Sequence, residues 1–179
     1  MNPTWRIQTG RLLLSPVGWA DLPDLRALKS DPAVYGQMLG GVRSAAGVAE
    51  DLAQEASYWA ARGYGMWMVR TPDGAAIGLT GLHDRPDGRG VALRFAFRPE
   101  ARGRGLAREA AGAALRFAHD RAGLERVTAV ARDSNLASRT VLGAIGMRVC
   151  GTFDRGGERM LVYESRAVPL PCAPAGTTR

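Results

Sequence analysis

Apolar positions recur along the chain with two different periods, and the switches between them mark out the elements. The run Arg11-Leu12-Leu13-Leu14, inside 9–16 and closed by Ser15-Pro16, reads as a first strand. A helix follows, with Asp21 at its N-cap, Pro23 in its first turn and Leu22, Leu25 and Leu28 on one stripe, until Asp31-Pro32 interrupts it. A second helix over 44–62 puts Val48, Leu52, Ala56 and Trp59 on one face and stops at Gly63. Both helices are expected to cover one side of a sheet. The β-rich stretches 64–70 and 75–82 flank Thr71-Pro72-Asp73-Gly74, a tight reversal, and Arg85-Pro86-Asp87-Gly88 turns the chain again into a strand over 91–97. These three strands form a meander.

The period then changes. Leu106, Ala110, Ala113 and Phe117 form the inward stripe of a helix over 105–121, with Arg108, Gly112, Arg116 and His119 on its polar side, and a strand over 126–131 follows. Strand, helix, strand implies a parallel pair joined by a right-handed crossover. A helix over 135–145 ends at Gly146, and strands over 147–153 and 158–166 flank Asp154-Arg155-Gly156-Gly157. The sum is an α/β (mixed α+β) chain with a central mixed, mostly antiparallel sheet of about seven strands flanked by about four helices. One domain is expected over 1–167; residues 168–179, rich in Pro, Ala, Gly and Thr, have little to bury and are expected to form a disordered tail.

Composition narrows the function. A chain of 179 residues can bury one good core, and 46% apolar with 23% charged residues is the balance of a soluble globular protein. No apolar run approaches the roughly 20 residues that cross a bilayer, and the opening Met-Asn-Pro-Thr-Trp-Arg lacks a signal-peptide core, so a cytoplasmic location is expected. Cys150 and Cys172 stand without CxxC spacing beside only two histidines, which argues against a disulfide framework or a metal site. The net charge of +7 is carried by arginine, Lys29 being the only lysine. The arginines are scattered over every segment rather than gathered on one face, which argues against nucleic acid as a partner.

The chemistry concentrates in Arg98-Pro99-Glu100-Ala101-Arg102-Gly103-Arg104-Gly105-Leu106-Ala107, where a strand ends, a glycine-rich turn follows and a helix begins. Such a junction aims free backbone N–H groups and the positive end of a helix dipole at one spot, a cradle for a diphosphate. Gly103 and Gly105 remove the Cβ atoms that would hold phosphates away, and Arg102 and Arg104 add charge. A Walker A loop is excluded by the missing lysine, and the dinucleotide fingerprint by Arg108 in place of its third glycine. On these residues alone a plain glycine turn before a helix stays open.

Arg102-x-x-Gly105-x-Ala107 resembles the Arg/Gln-x-x-Gly-x-Gly/Ala signature of GNAT acetyltransferases, and Asn135-x-x-Ser138, then Val141-Leu142 and Gly146-Met147, resembles that family's second element. The similarity covers 10–166 and is closest to the branch of ribosomal-protein N-terminal acetyltransferases. The resemblance implies a GNAT fold and acetyl-CoA as acyl donor, lying between splayed strands 91–97 and 126–131. It implies that the backbone of Phe95, Ala96 and Phe97 pairs with the pantetheine arm like another strand. The pyrophosphate would lie on the N–H groups of Arg102, Gly103, Arg104, Gly105, Leu106 and Ala107, and Asn135 would hydrogen-bond the pantetheine or thioester region.

The family reaction is direct attack of an amine on the thioester carbonyl, giving an N-acetyltransferase whose acceptor is a protein N-terminus, an amino acid or a small-molecule amine. A strand N–H near Phe95 or Ala96 would meet the oxyanion. The tyrosine that many relatives carry seven residues after the asparagine is here Leu142, so Ser138, on the inward stripe with Val141, Leu142 and Ile145, becomes the candidate catalytic residue, by orientation or proton relay. Its alternative is a bond to a carbonyl one turn back. The glutamate that relatives in this branch often carry near the start of the fourth strand is here Ala92; His83 and Asp84 are the strand-end alternatives, and water can carry the proton. Trp59, Trp67, Phe95 and Phe97 are either acceptor-pocket walls or core; Glu100, Arg108 and Glu109 read as exposed charges, His119 as solvated, and Cys150 as packing. Acceptor identity is expected to lie in the loop over 36–47 and between the last two strands. The second reading is an acyl-CoA-binding module without catalysis, the third an arginine-rich RNA binder, and the family leaves a homodimer open.

Overall fold

The computed structural model describes residues 5–38, 40–85, 87–88 and 90–167; the expected tail over 168–179 and Pro86 of the expected second turn lie outside the described residues. One sheet runs in the order β1-β2-β3-β4-β5-β6-β8-β7. Its strands are β1 (Ile7–Gln8), β2 (Leu13–Pro16), β3 (Met66–Arg70), β4 (Ala76–Asp84), β5 (Val91–Phe97), β6 (Arg126–Arg132), β7 (Arg148–Arg155) and β8 (Glu158–Arg166). The α-helices among the described residues are α1 (Leu22–Lys29), α2 (Pro32–Tyr35), α3 (Ala45–Arg62), α4 (Leu106–Asp120) and α5 (Leu136–Ala144). Neighbouring strands pair antiparallel except β5 with β6.

The mixed, mostly antiparallel sheet is as expected, with one more strand and one more helix. The stretch 9–16 is not a single strand, because the Thr9 N–H donates to the Leu12 carbonyl (2.9 Å) and the Leu12 N–H donates to the Thr9 hydroxyl (3.1 Å). This turn folds Ile7–Gln8 back onto Leu13 and Leu14 as a separate strand. Asp31-Pro32 ends α1 but also starts α2: the Asp31 carboxylate accepts from the Ala33 N–H (2.8 Å), and proline suits a first helical position. Asp21 holds the N-cap position of α1 without capping it. Its carboxylate instead accepts from the Gly18 N–H (2.8 Å) and pairs with Arg70 (3.1 Å).

In α3, Ser44 caps the Gly47 N–H at 3.2 Å, and Gly63 ends the helix at φ +72°, where glycine carries no Cβ penalty. Val48, Leu52 and Trp59 are buried as expected, but Ala56 is exposed. The 3.6-residue period selects Glu55 for that slot, and its side chain is only 12% exposed.

Strand alternation sorts the core into two layers. Met66, Met68, Leu79 and Ala96 pack with Leu25, Leu28, Val34, Val48 and Leu52 of α1–α3. Leu82, Leu93, Phe97 and Ala129 pack with Ala110, Ala113, Ala114 and Phe117 of α4. Trp67 interlocks edge-on with Trp59 (centroids 4.8 Å apart) and Phe117 (5.0 Å), so Trp59 and Trp67 are core and not pocket wall. The Trp59 indole lies against Gly65, where a Cβ would stand 2.6 Å from Nε1.

Three expected surface or packing assignments are corrected. Gly112 is buried on α4. His119 is not solvated: its Nδ1 lies 2.6 Å from the Leu124 carbonyl, which requires a proton there, and its Nε2 lies 3.0 Å from the Ser165 hydroxyl. Cys150 is exposed on β7, the edge strand, rather than packed.

Candidate functional site

The parallel pairing of β5 and β6 is brief. Val91 meets Val127 and Ala92 meets Thr128, with the Thr128 hydroxyl donating to the Val91 carbonyl (3.1 Å), and no pairing follows among the described residues. Beyond it the strands separate around a cavity of about 710 Å³. Residues 92–97 of β5 and 129–132 of β6 form its walls, Asn135, Ser138, Val141 and Leu142 of the α5 region close one side, and Gln37, Met38, Phe153 and Arg155 form part of its rim. Residues of the loop over 36–47 and of the last hairpin therefore reach the cavity.

The phase of the β4–β5 ladder decides which backbone groups face this opening. The Arg85 N–H donates to Gly90 and the Arg98 N–H to Ile77, so every second residue between them, including Ala92, Arg94 and Ala96, turns its N–H and C=O toward β4. Leu93, Phe95 and Phe97 turn theirs toward β6, the Leu93 N–H to the bridge at Thr128 and the rest toward the splay. Of the residues expected to pair there, Phe95 and Phe97 present backbone groups, whereas Ala96 lines the cavity with its methyl while its backbone pairs with Leu79.

At the end of β5 a short 3-10 turn over Pro99–Ala101 leads into the glycine turn. Gly103 (φ +72°) and Gly105 (φ +73°) both take the left-handed conformation that favours glycine, and α4 starts immediately afterwards. The Glu109 N–H is the first to find its helical partner, the Gly105 carbonyl at 3.1 Å; the N–H groups of Leu106, Ala107 and Arg108 have no intrahelical acceptor. Residues 102–105 are exposed. Arg102 donates to the Ala33 carbonyl and so ties the turn to α2.

The turn is braced from behind. The Arg11 guanidinium donates to the Arg104 carbonyl (2.9 Å) and pairs with Glu109 (2.7 Å), and Glu109 also accepts from the Thr9 hydroxyl (2.6 Å) and the Arg11 N–H (2.9 Å). Glu109 is thus a hub with a 19% exposed side chain, not the exposed charge expected. Burial works to raise its carboxyl, but the hydrogen bonds from Thr9 and Arg11 outweigh it and hold the group below its ordinary value.

Asn135 caps α5, its side-chain oxygen accepting from the Ser138 N–H at 3.1 Å, which leaves the amide N–H groups to the cavity it lines. The Ser138 hydroxyl lines the same cavity and, among the described residues, bonds neither a carbonyl one turn back nor any other group. Ala92 and Leu142 are buried in the wall and offer no proton.

His83 and Asp84 lie on β4 near this site rather than lining it. His83 stands opposite Ala92, on the α1–α3 face, stacked on Tyr58 (4.3 Å between centroids), with Nδ1 3.1 Å from the Asp84 carbonyl and Nε2 3.8 Å from Glu55. Asp84 pairs with Arg62 (2.8 Å) and accepts from the Tyr64 hydroxyl (3.2 Å). Burial pushes the Glu55 carboxyl up, while His83 and the Met66 N–H pull it down. Sequence reasoning missed Glu55 and Arg94. The signals were a carboxylate spaced three residues from Leu52 and four from Trp59 on an apolar stripe, and an arginine inside an apolar strand.

A family model described as an acetyltransferase (GNAT) domain matches residues 11–148. Among solved structures, an acetyltransferase from Agrobacterium tumefaciens superposes with a TM-score of 0.78 at 26% identity, covering 90% of this chain and 94% of that one. A ribosomal-protein-S5-alanine acetyltransferase from Vibrio fischeri gives 0.77 at 15% identity, covering 92% and 97%. RimL, a ribosomal L7/L12 α-N-protein acetyltransferase solved in complex with coenzyme A, gives 0.74 at 16%, covering 90% and 98%. The glycine turn, the splay and the family match agree, and the chain belongs to the GNAT acetyltransferase family.

Proposed function

We propose that this protein is an N-acetyltransferase that moves the acetyl group of acetyl-CoA to a primary amine by direct attack, drawing on the cytoplasmic acetyl-CoA pool. The observation that carries the reading is the pairing of an open strand edge at Phe95 and Phe97 with a nest of free N–H groups at the start of α4, on one continuous cleft. When bound, acetyl-CoA supplies an activated acyl carbonyl. Phe95 and Phe97 pair their backbone with the pantetheine arm, Ala96 packs beneath it, and the Asn135 amide donates to it. The turn over Arg102, Gly103, Arg104, Gly105, Leu106 and Ala107 holds the pyrophosphate.

A β5 N–H aimed into the splay, that of Phe95, meets the oxygen that gains charge. Ser138 orients or relays a proton to the leaving sulfur through its unengaged hydroxyl, and water carries the proton from the acceptor. A protein N-terminus is one candidate acceptor, since two of the structural neighbours act on ribosomal proteins; an amino acid and a small-molecule amine are the others. The buried Ala92 and Leu142 favour a second reading, an acyl-CoA-binding module without turnover.

Calorimetry with acetyl-CoA, with Gly105→Glu as control, and thiol release against amines and N-terminal peptides test both. Binding that the control abolishes, with thiol release for one acceptor class, is expected. Binding without turnover supports the silent module, and absence of binding refutes both readings.

A further inference from the structure

Arg94 is the half-buried cationic group of the cleft that neither the fold nor the cofactor reading uses. It sits mid-strand in β5, half-buried, on the α1–α3 face with Ala92 and Ala96, and it lines the cavity. Its backbone pairs with β4, and its carbonyl also accepts from the Thr80 hydroxyl at 3.2 Å, but among the described residues its guanidinium has no hydrogen bond and no ion pair and feels the Glu55 carboxylate only as a nearby charge. Arg85 is tied to Asp87 (2.9 Å), Arg102 to the Ala33 carbonyl and Arg132 to Glu158, while Arg155 is exposed at the rim. Glu55 feels the Arg94 charge, but its oxygens turn to His83 (3.8 Å) and the Met66 N–H (3.4 Å).

A half-buried guanidinium whose N–H groups meet no protein acceptor is costly unless water or an anion reaches it. The pyrophosphate of the donor is not that anion. Arg94 stands three residues before the end of β5, roughly 10 Å at strand rise, on the sheet face opposite α4, whose N-terminus forms the cradle. The Arg94 side of the cavity thus offers a planar fork of N–H donors, the geometry that matches a carboxylate.

We infer that the acceptor amine carries a carboxylate close to its nitrogen, as an amino acid or an acidic peptide N-terminus does, and that Arg94 holds this carboxylate with the amine turned toward the splay. The inference rests on the acetyl-transfer reading and names its acceptor class. A polycationic acceptor fits poorly, since the cavity is lined by Arg85, Arg94, Arg102, Arg132 and Arg155 against Asp87.

The test is thiol release from acetyl-CoA with matched acceptors: L-amino acids against their carboxamides, short peptides with Asp against Asn at the second position, and spermidine as a polycation. Carboxylate-bearing acceptors are expected to lead in kcat/KM by about 10- to 150-fold, the range for hydrogen bonds to a charged group. Arg94→Gln should collapse that preference through KM, and Arg94→Lys, which keeps charge but not the fork, should retain part of it. Calorimetry with acetyl-CoA and urea unfolding on the same preparations report cofactor binding and folding. Carboxamides or spermidine turned over as well as carboxylates overturn the inference, as does a preference that survives Arg94→Gln, or no turnover of carboxylate-bearing amines by protein that binds acetyl-CoA. Should Arg94→Gln fail to fold, the acid-against-amide comparison on the native protein still decides. A native protein that does not bind acetyl-CoA fails at the earlier step, visible in the calorimetry alone, and takes this inference with it.

Discussion

Replacing Glu109 by glutamine should cost stability at neutral pH and progressively less in acid. The side chain keeps its size and one carbonyl oxygen but loses the charge that strengthens its bonds to the Thr9 hydroxyl (2.6 Å), the Arg11 N–H (2.9 Å) and the Arg11 guanidinium (2.7 Å). Charge assistance to the first two is worth roughly 0.5–1 kcal/mol each. The ion pair adds only about 0.5 kcal/mol, because the Arg11 side chain is 55% exposed and solvent screens it. The expected loss is therefore about 1.5–2.5 kcal/mol at pH 7. The folded-state carboxyl is held below its ordinary 4.5, so the native protein binds this proton less readily than the unfolded chain. Its stabilisation is complete above 4.5 and is lost as pH falls through the lower folded value. Urea unfolding of both proteins from pH 7 down to about pH 3 reads the difference directly. A gap that stays constant across this range, or no gap at pH 7, would refute the bracing role.

Other changes probe the core and the site. Gly65→Ala places a Cβ 2.6 Å from the Trp59 Nε1, an atom fixed by its 3.0 Å bond to the Met66 carbonyl; overpacking should cost about 1–3 kcal/mol and lower Tm by roughly 3–10 °C in a thermal melt. Ser138→Ala should lower kcat for acetyl transfer by about 10- to 100-fold with little change in the KM for acetyl-CoA, and an unchanged kcat would remove Ser138 from the proton path. Coenzyme A at about 100 times its Kd should stabilise the fold by about 2.7 kcal/mol, a Tm rise of several degrees by differential scanning fluorimetry. Asn135→Ala should cost about 1 kcal/mol from the lost cap and weaken coenzyme A binding as well, two effects that unfolding and calorimetry separate.

The parts legible in sequence are those whose cause is local. Gly103 and Gly105 announce themselves because the left-handed backbone there excludes most other residues, and Gly63 ends α3 for the same reason. The meander followed from turn chemistry at Thr71-Pro72-Asp73-Gly74. What escaped depends on partners far along the chain. Glu109 looks like any helix-surface acid until Thr9 and Arg11 arrive from the other end, and His119 looks solvated until Leu124 and Ser165 close on it. Ala56 satisfied the apolar pattern better than Glu55, yet helical geometry, not hydrophobicity, chose the inward position. The separate roles of Phe95, Ala96 and Phe97 depend on ladder phase. Periodicity tells which face a side chain takes, but only the pairing with β4 tells which way its N–H points.

That phase also explains why the cleft exists before any ligand. Through its last residue, β5 is committed to β4, with Phe97 opposite Gly78, while β6 pairs with β8 as far as Arg132 opposite Met160. Each strand follows its outer neighbour, and two ladders that twist independently diverge once the short bridge at Val91 and Ala92 is passed. The C=O of Leu93 and the N–H and C=O groups of Phe95 and Phe97 left over by this divergence would cost about 1–3 kcal/mol each if buried without partners. The cavity keeps them open to water instead. An extended arm carrying amides can exchange that water for ladder bonds without moving either strand, so the ordering cost is already met in the folded protein and the binding free energy is not spent on separating a closed sheet.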